Sequence, residues 1–156
     1  MKLLLYGGTF DPPHLGHMNN LRAAMDAVKP DRVIVMPAGI PPHKAASATP
    51  AQHRLAMCRC FADLDPHVTV SRWEIDQAGR SYTVNTLDML RQSWPDAQLY
   101  LSVGSDMLLT FRQWRQWQRI LQMACLVVES RRTGDDAQLQ AMADSLAADG
   151  GRILFA

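Results

Sequence analysis

Apolar and polar positions along the chain follow two periods in turn. Residues 2–6, 32–36, 98–103 and 125–128 are short, nearly continuous apolar runs with the length of buried strands. Residues 68–75 alternate loosely and predict one more strand, with Glu74 near its end, and residues 152–155 predict a last short one. Between these runs the apolar residues step by threes and fours. Leu15, Met18, Leu21, Met25 and Val28 predict one helix, Val84, Leu87 and Leu90 a second, and Leu139, Met142 and Leu146 a third over residues 137–148. Thr49-Pro50-Ala51-Gln52 has the form of a capping box and predicts a helix from Pro50 to about Ala62. Residues 107–118 predict a helix that carries Trp114 and Trp117 on one face, at least one of them in the core. Pro30-Asp31, Asp65-Pro66, Pro95-Asp96 and Gly150-Gly151 punctuate the pattern.

Strands alternate with helices and nothing reads as an antiparallel hairpin. The expected fold is α/β: a doubly wound (Rossmann-like) parallel sheet of about five to six strands with helices on both faces. Right-handed crossovers would bring Gly7, Gly8 and Gly104 together at the point where the winding reverses, which is where open α/β sheets bind ligands.

Composition narrows the function. The 156 residues are 47% hydrophobic and 20% charged, an ordinary globular balance for one domain. A net charge of +1 argues against a nucleic-acid partner and for a small molecule. No apolar run is long enough to span a bilayer, and the N-terminus enters the first strand without a signal peptide. Cys58, Cys60 and Cys125 form no disulfide framework and read as reduced thiols in the cytoplasm, Cys58 and Cys60 as packing residues.

The densest chemistry lies in residues 6–17, Y-G-G-T-F-D-P-P-H-L-G-H. Gly7 and Gly8 stop the first strand, permit positive φ and let a ligand approach bare main chain. Asp11 reads as an N-cap, with Pro12 and Pro13 in the first helical turn. His14 and His17, three apart, share a face where free N–H groups and the positive dipole end favour an anion. Their imidazoles can donate to phosphate oxygens. A metal held by Asp11, His14 and His17 is a weaker alternative, because no established ligand spacing supports it.

Later segments offer partners for that turn. The stiff loop P-A-G-I-P-P-H-K, residues 37–44, ends in His43 and Lys44 at a strand's C-terminal end and could bring a cation to phosphate. Arg54 in a first helical turn conflicts with the dipole; it is either exposed or has an anionic partner. Ser81 and Thr83 either cap a helix or face a ligand. Gly104-Ser105-Asp106 repeats the glycine-and-carboxylate pattern of the first strand, and Asp106 could accept from ribose or hold a metal-bound water. Residues 129–136 read as a polar loop.

The stretch from Gly7 to His17, with His14-Leu15-Gly16-His17 as its H-x-G-H signature, resembles the first motif of a nucleotidyltransferase superfamily. With P-P-H-K at 41–44, H-R-L at 53–55, S-Y-T-V-N-T-L at 81–87, and G-S-D plus W-x-x-W at 104–117, the chain resembles bacterial nicotinate-nucleotide adenylyltransferases along nearly its whole length. That resemblance implies transfer of AMP from ATP to the 5′-phosphate of nicotinate mononucleotide, with Mg²⁺ accompanying ATP. It implies that Gly7, Gly8, Thr9, Phe10, Gly104 and Asp106 bind ATP. His14, His17 and Lys44 would serve the phosphates catalytically. Thr9, Lys44, Thr83 and Trp114 would bind the mononucleotide, with Trp114 stacked on the pyridine. No protein metal ligand is implied beyond Asp106 acting through water.

Departures qualify the resemblance. Asn85 stands where the family has aspartate, and Arg131-Arg132-Thr133-Gly134 where it often has arginine-proline-glycine. The family continues past the last strand into a serine/threonine-rich turn and a phosphate-binding arginine. The sequence ends at Ala156 before them, so the expectation is a single nucleotidyltransferase domain over 1–156 that is C-terminally incomplete. The alternatives are a non-catalytic nucleotide-binding module and an adenylyltransferase for nicotinamide mononucleotide.

Overall fold

A computed structural model describes residues 1–41, 49–129 and 136–156. Six strands form one sheet in the order β3-β2-β1-β4-β5-β6, every pair parallel. They are β1 Lys2–Gly8, β2 Arg32–Pro37, β3 Val68–Val70, β4 Gln98–Gly104, β5 Ala124–Glu129 and β6 Ile153–Phe155. The helices are α1 Leu15–Val28, α2 Ala51–Cys58, α3 Trp73–Asp76, α4 Thr83–Ser93, α5 Ser105–Leu109, α6 Trp117–Met123 and α7 Asp136–Ala148. The expected doubly wound fold is therefore the fold observed.

The period-two pleat divides the core between the faces of the sheet. Leu4 and Tyr6 of β1 pack with Leu21, Ala24 and Val28 of α1 and with Cys58 and Phe61. Leu3 and Leu5 point the other way, to Val84, Leu87 and Leu90 of α4, Ile120 of α6 and Leu146 of α7. The winding reverses between β1 and β4, so the ends of these strands part and leave a crevice.

Several elements differ from the sequence pattern. β3 ends at Val70 instead of Ile75, and Glu74 lies on α3. Ser71 Oγ accepts the Trp73 N–H at 3.2 Å, a local turn that diverts the backbone out of the strand. Residues 107–118 are not one helix: α5, a 3-10 turn over Phe111–Gln113 and α6 share the segment, and Gln116 has φ 52°. Trp114 and Trp117 thus lie on different elements, both half-buried against the core around Phe111. The helix predicted from Pro50 is α2 followed by a 3-10 turn over Arg59–Asp63, and no side chain caps its start. Leu15 is not in the apolar stripe of α1 and is 75% exposed.

Candidate active site

The first strand ends differently from expectation. Gly7 and Gly8 belong to β1, and neither has positive φ; Phe10 carries that strain at φ 53°. Gly8 is closely packed: a Cβ there would lie 3.1 Å from the Phe10 ring, which would have to give by a few tenths of an ångström. That ring is buried against Tyr6, Phe61 and His17, with centroids 5.6, 5.3 and 5.1 Å away, and this packing holds the turn.

Asp11 is not the N-cap of α1, and the two prolines precede the helix. His14 is the cap. Its Nδ1 accepts the Gly16 N–H at 3.1 Å, and the His14 N–H in turn donates to His17 Nδ1 at 3.1 Å. This is a capping box built from two imidazoles. Each Nδ1 must offer a lone pair to a main-chain donor, which assigns the ring hydrogen of both histidines to Nε2. The rings stack 3.8 Å apart. Gly16 permits this arrangement, because a Cβ there would meet the His14 ring at 2.9 Å. Tyr6 Oη donates to the His17 carbonyl at 2.9 Å and ties the helix start to β1.

A cleft of about 670 Å³ opens at the reversal point. Gly7, Gly8, Thr9, Phe10, His14, His17, Thr83, Gly104, Asp106 and Trp114 all line it. Of the expected site residues only Lys44 lies outside the described residues, and so does Arg131-Arg132-Thr133-Gly134. Asp106 sits exposed in the first turn of α5. Thr83 opens α4, whose N-cap is Tyr82; neither Ser81 nor Thr83 caps that helix. The alternative metal set of Asp11, His14 and His17 gains no support: among the described residues no group of three or more His, Cys, Asp or Glu could hold a metal ion.

Four cleft residues or supports were not expected from the sequence. Arg54 is neither exposed nor paired with an anion. It is 1% exposed and donates to the carbonyls of Thr9 at 3.0 Å, Ala38 at 2.6 Å, Gly39 at 3.1 Å and Thr49 at 3.3 Å. Glu74 is buried and accepts from Thr86 Oγ1 at 2.7 Å; burial pushes its carboxyl up to about 7, against the opposing pull of the Thr86 and Ser81 hydroxyls. Glu129 ends β5 instead of opening a polar loop, and its buried carboxylate accepts from Ser102 Oγ at 2.5 Å. Arg115 lays its guanidinium 3.9 Å from the centroid of the Tyr82 ring at the cleft wall. Two sequence signals marked Arg54, the H-R-L motif and its conflict with the helix dipole, but neither pointed to carbonyl partners; Glu129 and Arg115 carried no signal.

Fold and cleft together define a doubly wound α/β protein with its cleft at the point where the winding reverses. The cytidylyltransferase-like family model matches residues 5–149, and the chain belongs to that family. A probable nicotinate-nucleotide adenylyltransferase of Acidithiobacillus ferrooxidans is 44% identical over 129 residues, which cover 83% of this chain and 59% of that protein. One from Gemmatimonas aurantiaca is 42% identical over 132 residues, 84% of this chain and 62% of that protein. The chain thus spans about three fifths of the length of these relatives. The Plasmodium falciparum nicotinic acid mononucleotide adenylyltransferase complexed with APC superposes with a TM-score of 0.78 at 15% identity, over 99% of this chain and 73% of that one, a likeness of fold.

Proposed function

We propose that the cleft transfers AMP from ATP to the 5′-phosphate of nicotinate mononucleotide, giving deamido-NAD and pyrophosphate. The observation that carries this reading is the pair of capped histidines, whose two Nε2–H donors lie in one cleft with the start of α4 and Trp114. The names of the relatives from Acidithiobacillus and Gemmatimonas support the choice of acceptor.

The acceptor phosphate attacks the α-phosphorus in line and pyrophosphate leaves. The nucleophile is already an anion, so no general base is required. Catalysis then consists of positioning and of fixed donors for developing charge. His14 and His17 donate from Nε2 to the triphosphate, and Lys44 adds a cation there. Gly7, Gly8, Thr9 and Phe10 give the nucleotide a main-chain wall, with Gly104 and Asp106 beside the ribose. Thr83 and the start of α4 receive the mononucleotide, Trp114 stacks on its ring, and Arg115 adds positive charge beside Tyr82. Asp106, an exposed carboxylate in the cleft, could hold Mg²⁺ carried by ATP through a water. Bound there, Mg²⁺ neutralises charge on the phosphates.

The test is one assay panel: ATP with nicotinate mononucleotide or with nicotinamide mononucleotide, reading pyrophosphate and dinucleotide. Release with the acid form is expected. Release only with the amide form would reassign the acceptor, and nucleotide binding without release would make the chain a binding module.

A further inference from the structure

The wall of the cleft contains a buried chain of polar groups that takes no part in the transfer just described. It starts on α4, where the Thr86 hydroxyl donates to Glu74 Oε2 at 2.7 Å. The Ser81 hydroxyl also hydrogen-bonds the Glu74 carboxylate. Ser81 Oγ at the same time accepts the Gly39 N–H at 3.0 Å, and the Ser81 N–H donates to the Ile40 carbonyl at 2.8 Å. The Gly39 and Ala38 carbonyls accept from Arg54, and the same guanidinium reaches the Thr9 carbonyl in the turn after β1. The Ala38 N–H closes the circuit on the Gly8 carbonyl at 2.8 Å. Thr86, Ser81, Glu74 and Arg54 are all buried, so water competes little for any of these bonds.

Every link has a reason to be specific. Gly39 admits the contact because a Cβ there would lie 2.8 Å from the Glu74 carbonyl oxygen. Arg54 is the one described side chain that holds carbonyls from both the first and second strand ends. Its fork satisfies several acceptors with one rigid group, which lysine could not reproduce. A carboxylate between two hydroxyls can accept from both, which a neutral amide at the same place does less well.

The geometry points to Arg54 and Glu74 as positioning residues that lock the turn at Gly8 and Thr9 to the start of α4, and so set the distance between donor and acceptor nucleotides. This deepens the adenylyl-transfer reading and rests on it. The two nucleotides approach from different elements, Thr9 and its neighbours on one side and Thr83 on the other. A lateral error between them costs rate more than affinity, on the order of 10- to 100-fold for a displacement near 1 Å.

The test uses Glu74→Gln and Ser81→Ala in the full chain, with two readouts. In steady-state transfer at about pH 8, where the Glu74 carboxyl is ionised, kcat is expected to fall on the order of 10-fold or more, with KM for each substrate within about 3-fold and no lower melting temperature for Glu74→Gln. A merely structural role would lower the melting temperature and leave kcat alone, and that result overturns the proposal. The second readout needs no turnover: amide exchange at Ala38, whose N–H bonds the Gly8 carbonyl, is expected to accelerate in Glu74→Gln relative to the β4 and β5 amides. Unchanged exchange at Ala38, or an increase spread evenly over the sheet, overturns the coupling. If the wild-type chain transfers nothing but Ala38 responds, the transfer reading fails and the coupling stands.

Discussion

Each histidine of the signature commits its Nδ1 to the main chain, so the helix start and the proposed phosphate donors are one device. His17→Ala removes one Nε2 donor, and turnover should fall on the order of 10²–10³, the worth of one preorganised donor, with the fold kept; unchanged turnover would sink the mechanism. Gly16→Ala should be about as damaging although it deletes no functional group, since its Cβ meets the His14 ring. Transfer rate and circular dichroism on the two variants check both outcomes. The sequence made the spacing of these residues legible, because three apart on a helix is a shared face. It did not reveal the tautomer, which depends on main-chain donors that exist only once α1 is formed. Arg54 was hidden for a similar reason. A cation in a first turn reads as an electrostatic misfit, and the carbonyls that satisfy it come from residues 9, 38, 39 and 49.

Among the elements, the long strands and α1, α4 and α7 follow directly from apolar period. The misses cluster where local hydrogen bonds or tertiary partners override that period. The alternation through residues 68–75 suits a strand, yet Ser71 turns the chain and Glu74 finds Thr86 and Ser81 only from α3. That placement predicts a pH dependence. Burial raises the carboxyl from its ordinary value of 4.5 to about 7, so the folded state holds the proton more tightly. Below the unfolded value this group costs nothing. As pH rises from about 4.5 to 7 its contribution falls by on the order of 3 kcal/mol, and it is flat above that. Urea unfolding of Glu74→Gln should lack this slope and be the more stable protein at pH 8. An identical pH profile in the two proteins would show that Glu74 does not titrate in this window.

For the whole molecule, a single sheet with a core on each face makes burial the main determinant of stability. Leu90 is fully buried on α4, and Leu90→Ala should cost about 2–5 kcal/mol. Leu154 on the outer strand is 41% exposed, and Leu154→Ala should stay within about 1 kcal/mol. Denaturant midpoints distinguish the two, and equal costs would mean that β6 is packed as tightly as the centre. The parallel topology was legible because no hairpin signal interrupts the alternation of strand and helix. The cleft was legible only in outline, since its walls come from segments near residues 8, 39, 74, 81, 104 and 129 that no local pattern connects.

The reversal of winding between β1 and β4 also bears on how the chain acquires its function. Gly8 and Gly104 are 96 positions apart and share a cleft only after β4 has docked on β1. That pairing closes a long loop, the kind of contact that forms late because entropy opposes it. On the proposed function, nucleotide would therefore be a ligand of the completed sheet and not of either half. By mass action it should protect the entire domain from proteolysis, by about 2.7 kcal/mol at a hundredfold excess over Kd.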